Sequence, residues 1–374
     1  MRTSYAIAAL LAAACAQTRL TPASGNTFHP EEDERSLWRQ AEEVEDRFES
    51  SGLVYADAAL ETYLDEVAHR IQPPSAFAAI PFRIRVVKNP YLNAFTLPNG
   101  RIYVHTGMLA RMDNEAQLAT LLGHEMSHAT HRHAVREWRD LQNHAALAVG
   151  LNSILPGIGT LAGFSGVRGY SRELETEADD EGLRLVVNAG YDAREAPKLF
   201  THLQDQLREE KQSEPFFFGT HPALSARIEN YRTRIEAQGL DRKPGATNAE
   251  AFLAHTRAVV YDNAVLDLRA GRFASAERGA RKFAQLDPAS ARGPFLLGEI
   301  ARQRSDGEWD KALDDYRRAV TLDAAYPDPY RAIGLILYKR GDKSAAKEAF
   351  EKYLSLSPTA ADRGYIETYL GGSK

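Results

Sequence analysis

A single cysteine, Cys15, stands in 374 residues, which excludes any intrachain disulfide framework. Beyond the first sixteen residues no apolar stretch is long enough to span a bilayer. Basic residues form no stripe interleaved with aromatics, and a net charge of −5 gives no reason to expect nucleic acid as a partner. What remains is a chain with 26% charged residues and an ordinary apolar share, the composition of a soluble globular protein. Its length favours two or three domains over one.

Residues 1–16 join Arg2, an apolar run from Tyr5 to Leu11 and a small-residue end, the layout of an export signal too short to cross a membrane. Its Leu11 to Cys15 ending resembles a bacterial lipoprotein cleavage site, which would leave Cys15 lipidated. A bulky aliphatic residue is usual where Ala12 stands, and ordinary cleavage after Ala16 is the competing outcome. Either one exports the chain. Residues 17–30, rich in Thr, Pro, Ser, Gly and Asn, suit a flexible tether.

Helices are expected over Glu31 to Glu49 and Asp57 to Gln72, the second burying Leu60, Leu64, Val67 and Ile71 and ending at Pro73-Pro74. Phe82 to Val87 alternates like a half-buried strand, and Arg101 to His105 reads as another, with the Asn99-Gly100 turn signal ahead of it. A small sheet therefore precedes the next helix. An edge strand beside a cleft is a ready place for an extended peptide to add itself through backbone hydrogen bonds.

That next helix, in the run Asn114 to Val135, holds His124-Glu125-Met126-Ser127-His128. Residues four apart share a helix face, so the two imidazoles converge on one point that can hold a metal. Glu125 lies about 100° round the helix, near enough to reach a water on that metal without being a ligand. This is the H-E-x-x-H arrangement of zinc peptidases, with the glutamate as general base. Five-residue patterns also arise by chance on polar helix faces. Here Asn114 with Gln117 gives a capping box, and Leu118, Leu121 and Leu122 give an apolar stripe, so the helix reads as a core element.

A catalytic zinc takes three protein ligands and one open position. The best source of the third is the helix expected from Tyr170 to Asn188, where Glu175 and Asp179 are four apart. One of them can bind metal while the other orients a ligand histidine through its second ring nitrogen. Glu173 with Glu177 satisfies the same spacing, and a solvated acidic face is the ordinary alternative. Between the two helices, residues 147–167 are apolar and glycine-rich. They read either as a mobile cover touching membrane or unfolded client, or as a helical hairpin on the core.

Asn93-Ala94-Phe95, then His124 to His128 followed by Arg132-His133, then Ser171-Arg172 with Glu175-x-Glu177-Ala178-Asp179, resemble the HtpX and CAAX-prenyl-endopeptidase family of zinc metallopeptidases. The resemblance runs roughly from Asn89 to Arg227 with its motifs in order. It implies one zinc ion per chain held by His124, His128 and Glu175, with Asp179 orienting a ligand and Glu125 as general base. Thr220-His221-Pro222 to Arg227 also matches. In exported members that carry a helical repeat, the equivalent histidine makes His221 a switch ligand or a transition-state donor. Capping of the following helix is its structural alternative. His131 and His133 are assigned to structure.

Gly239 to Asn248 reads as a linker. Beyond it Gly271, Ala276, Ala280 and Pro288 recur as Gly341, Ala346, Phe350 and Pro358, with a middle copy at Leu297-Gly298, Ala312, Tyr316 and Ala319. A period of roughly 34 with small and aromatic residues at these offsets is the tetratricopeptide signature. The fold class expected is α+β: a mostly helical zincin-like metallopeptidase domain with a small sheet, residues 31–238, then a linker, 239–250, and an all-α tetratricopeptide-repeat solenoid, 251–374. The resemblance implies a zinc endopeptidase of the periplasm, at the outer membrane, cutting misfolded or stalled outer-membrane proteins. Its repeats would bind unfolded substrates or the outer-membrane assembly machinery. Membrane association would come through a lipid on Cys15 or through residues 147–167. The rival expectation is a chaperone or assembly scaffold whose metal site is idle.

Overall fold

A computed structural model of the chain describes residues 20–147, 170–210, 224–304 and 307–371. It divides into two compact units, Met1–His255 and Thr256–Lys374. Cys15, His221 and all of the 147–167 stretch except Leu147 lie outside the described residues. Among the described residues no helix is long and apolar enough to cross a membrane.

The segment expected to be a loose tether is tied down from residue 20 onward. The Ala23 amide donates to the Thr130 carbonyl at 2.7 Å, and the Gly25 amide to the Ser75 carbonyl at 2.7 Å. Ala23 packs with Ala79, Ile80 and Ala129. Composition reports few apolar side chains; it says nothing of where backbone donors find acceptors. Helix α1 (Glu32–Ser50) follows, then α2 (Ala58–Ile71), capped by Asp57 and burying Leu60, Tyr63, Leu64, Val67 and Ile71. Pro73-Pro74 ends α2 as expected, but Pro74 also opens the short α3 (Pro74–Ala79), because the first helical turn needs no proline N–H.

The sheet has three strands, one more than the alternation suggests: β1 (Arg83–Val87), β2 (Ala94–Thr96) and β3 (Arg101–His105), in the order β1-β3-β2. The first pairs parallel to β3 and the short β2 antiparallel to it. Leu97 to Gly100 joins β2 to β3, and Gly100 sits at φ 83°, a conformation that glycine adopts without steric cost. This leaves β2 as an edge.

After α4 (Thr106–Arg111) comes the central helix, α5 (Glu115–Thr130), buried along its whole length rather than on one stripe. Its start is fixed twice. Asn114 Oδ1 accepts the Gln117 amide at 3.0 Å, while Gln117 Oε1 reaches back one residue past the expected box to take the Asp113 amide at 2.9 Å. Buried Glu115 then accepts from Tyr63, Tyr191, Asn248 and Arg70, an acid at the positive end of a helix. The Glu115 amide donates to the Thr247 carbonyl, and Tyr191 bridges Ala246. Part of the segment expected as a linker is thus a fixed strap on the first unit.

The helical run does not continue to Val135. It stops at Thr130, Arg132 takes φ 56°, and α6 (His133–Leu147) starts afresh. Helix α7 (Arg172–Asn188), capped by Ser171, lies against α5. Gly123 and Gly182 meet at the crossing, where a Cβ on Gly182 would stand 3.0 Å from the His124 backbone nitrogen. Helix propensity alone favours Gly182→Ala by about 1 kcal/mol. The contact opposes it, since the three nearest atoms, His124 N and Cα and Gly123 C, are all backbone and the helices must part. We expect Gly182→Ala to destabilise by about 1–3 kcal/mol, read as a lower thermal midpoint; a higher one refutes the crossing. Helices α8 (Glu195–Glu210) and α9 (Leu224–Ala237) follow.

Helix Ala249–Arg269 leads into the second unit, which continues with Phe273–Leu286, Arg292–Gln303, Trp309–Leu322, Pro327–Lys339, Lys343–Leu356 and Arg363–Tyr369. Gly298 lies under the ring of Tyr316, and Gly334 under that of Phe350. Ala276, Ala280, Ala312, Ala319 and Ala346 are buried. The recurring alanines and aromatics are therefore buried between neighbouring helices, as in tetratricopeptide repeats, whereas Gly271 and Gly341 take φ 71° and 87° in turns.

Candidate metal centre

One ligand atom each from His124, His128 and Glu175 lies within 4.8 Å of the others, all three residues being buried. His124 Nε2 stands 3.0 Å from His128 Nε2, and Glu175 Oε2 and Oε1 stand 3.6 and 3.4 Å from those two nitrogens. Ligand atoms about 2.0–2.1 Å from a tetrahedral centre are about 3.3–3.4 Å apart. Because α7 supplies Glu175 from across the Gly123–Gly182 crossing, the close approach of two backbones sets this spacing.

The Nδ1 atoms of both histidines are engaged elsewhere. Asp179 Oδ1 lies 3.0 Å from His124 Nδ1. Its carboxylate is also clasped by Arg227, through Nε at 3.0 Å and Nη2 at 2.5 Å, and accepts the Tyr231 hydroxyl at 3.0 Å. Burial works to raise the Asp179 carboxyl, but the Arg227 guanidinium and His124 outweigh it and hold the group far below the usual carboxylate range. When both histidines carry their proton on Nδ1, two Nε2 lone pairs and a carboxylate face one another, an arrangement that a bound cation makes favourable, so the donor set fits a metal ion.

His128 Nδ1 lies 2.9 Å from His133 Nδ1, and Tyr170 stacks on the His128 ring at 4.1 Å. His133 is fully buried, which pulls its pKa down to about 4. Of the two acidic pairs, the structure brings Glu175 and Asp179 to the histidines. Glu177 instead bonds Arg136 at 2.7 Å and faces His133, whose hydrogen bond holds the carboxyl down to about 2 against burial. Glu173 is exposed.

Glu125, 1% exposed, follows His124 on α5 and contacts the edge strand. Thr96, on β2, donates to its Oε2 at 2.8 Å and to its carbonyl at 3.1 Å. Burial beside the Glu125 and Glu175 carboxylates pushes the Tyr170 hydroxyl well above its ordinary value, so Tyr170 is a neutral donor.

Residues 58–235 match the model of peptidase family M48, and residues 297–371 that of a tetratricopeptide repeat. The chain carries an M48 domain. Over 222 residues it is 32% identical to the beta-barrel assembly-enhancing protease of Yersinia pestis, covering 56% of this chain and 45% of that one. The Escherichia coli K12 protein of the same name is 32% identical over 192 residues, 48% of this chain and 39% of that one. Metalloendopeptidase OMA1 of Danio rerio is 31% identical over 185 residues, 45% and 38% of the two chains. The chain thus spans under half the length of these relatives.

Two residues of the M48 domain do more than sequence reading gave them. His133, which the sequence assigns to structure, would lie about 140° from His128 in an unbroken helix. Arg227 went unremarked inside the Thr220 to Arg227 motif. The signal for it was chemical: a buried aspartate such as Asp179 needs a cation, and that motif supplies one.

Proposed function

We propose that the chain is a zinc-dependent endopeptidase of the bacterial cell envelope that cuts misfolded or stalled outer-membrane proteins, with the repeats binding substrate or partner. The carrying observation is the convergence of buried His124, His128 and Glu175 beside Glu125. The zinc ion, when bound by those three residues, supplies Lewis acidity and a water acidified towards neutrality. Glu125 accepts the proton of the attacking water and returns it to the departing amine. Thr96 holds the other carboxylate oxygen in place, and the β2 edge offers backbone groups to an extended peptide.

The name shared by the Yersinia and Escherichia relatives, beta-barrel assembly-enhancing protease, supports clients that assemble as β-barrels. For His221 the family resemblance supports a switch ligand or transition-state donor. The test treats the purified chain and its His221→Ala variant with chelator, then restores Zn²⁺ or Mg²⁺, with unfolded casein as substrate. We expect fragments only after Zn²⁺, and faster cleavage by the variant if His221 blocks the site, slower if it assists. Casein left intact by both, with its aggregation still suppressed in chelator, would instead make the chain a scaffold.

A further inference from the structure

We propose that His133 is a positioning residue that fixes the His128 imidazole, and that the turn at Arg132 exists to bring it there. The proposal rests on the metal-site reading above. A histidine that gives Nε2 to a metal must carry its proton on Nδ1, and that N–H needs an acceptor. For His124 the acceptor is Asp179. For His128 the atom at hydrogen-bond distance is His133 Nδ1, 2.9 Å away, with the two rings 77° apart. Two imidazole nitrogens can share only one proton between them, so His133 accepts there and holds its own proton on Nε2. That nitrogen faces Glu177 Oε2 at 3.5 Å, and Arg136 holds the same carboxylate oxygen at 2.7 Å.

An unbroken helix cannot make this contact, because a residue five positions on points to another face. Arg132 breaks it, in a left-handed conformation that only glycine adopts readily. The surroundings hold it: Arg132 Nη2 bonds Glu34 at 2.6 Å and Glu31 at 3.1 Å, Nε bonds Glu34 at 3.1 Å, and the guanidinium lies 5.5 Å from the Phe28 ring. All three partners precede residue 58, where the M48 match begins. The N-terminal segment therefore reaches the metal site through Arg132 and His133.

The experiment measures zinc affinity by competition with a chromogenic chelator, and the visible spectrum of the Co²⁺-substituted full chain. We expect His133→Ala to weaken zinc binding about 10–100-fold and to alter the Co²⁺ bands. His133→Asn, whose side-chain oxygen can accept the same N–H, should recover much of both. Glu177→Gln should lie between parent and His133→Ala, and His131→Ala should match the parent. Parent-like affinity and spectrum in His133→Ala would overturn the proposal, as would an Asn variant no better than Ala. If His133→Ala does not fold, His133→Asn and Glu177→Gln decide, parent-like values in Glu177→Gln with His133→Asn as weak as unfolded chain counting against it. Failure of the underlying reading looks different: His124→Ala would then bind zinc as the parent does.

Discussion

Glu125→Gln should lower kcat/KM on an unfolded protein by about 10²–10⁴-fold, the range of a lost general base, while the chain keeps its metal. The side chains are nearly isosteric. The glutamine oxygen can still accept the Thr96 hydroxyl that now bonds Glu125 Oε2 at 2.8 Å, so the rotamer and the β2–α5 contact should survive. An amide cannot take a proton from water, and that single function is removed. Truncation to alanine would be less informative, because it also opens a hole at a site 1% exposed. Metal analysis beside single-turnover cleavage separates the cases. Loss of metal together with rate would mean that Glu125 shapes the site, and an unchanged rate would remove it from the chemistry.

What could be read in the linear chain is what depends on local spacing. His124 and His128 share a face because they are four apart, and Glu175 with Asp179 repeats that spacing on α7. The choice between those acids and Glu173 with Glu177 is not local. Gly123 against Gly182 decides how α7 is rotated and how close it comes, and Arg227, 48 residues after Asp179, supplies the counter-ion that lets that carboxylate be buried. The tetratricopeptide helices were legible for the opposite reason, since two successive copies repeat the same contact, Gly298 under Tyr316 and Gly334 under Phe350.

The break at Arg132 was hidden because nothing near it in sequence stops a helix. The Glu34 carboxylate that holds it lies 98 residues away, and the arginine has no intrinsic preference for φ 56°. The third strand was hidden by its length, as three residues cannot display alternation. Both segments taken as loose, 17–30 and 239–250, were judged on composition. Their backbone groups nonetheless bond the core at Ala23, Gly25 and Thr247. Legibility thus failed wherever a backbone hydrogen bond or an ion pair joined distant parts of the chain.

Arg227→Met should cost the first unit about 3–5 kcal/mol, the scale for stripping one partner from a buried ion pair. Among the described residues Asp179, 1% exposed, would keep Tyr231 and His124 as donors. The pH dependence carries the sign. In the parent the Asp179 carboxyl is held below its unfolded value, so its stabilisation is complete above about pH 4 and is lost as pH falls through the folded pKa. In the variant burial acts without the guanidinium, and a protonated Asp179 needs no cation. The deficit against the parent is therefore largest near neutrality and shrinks on acidification. Urea unfolding of the full chain in chelator reads it, with Trp309→Phe leaving Trp38 and Trp138 of the first unit as the fluorescent reporters. Adding Asp179→Leu should return much of the loss, because no charge is then left buried. Single costs that simply add, or a deficit that grows as pH falls, would show that Arg227 packs against Phe200 and Asp179 without serving as its counter-ion.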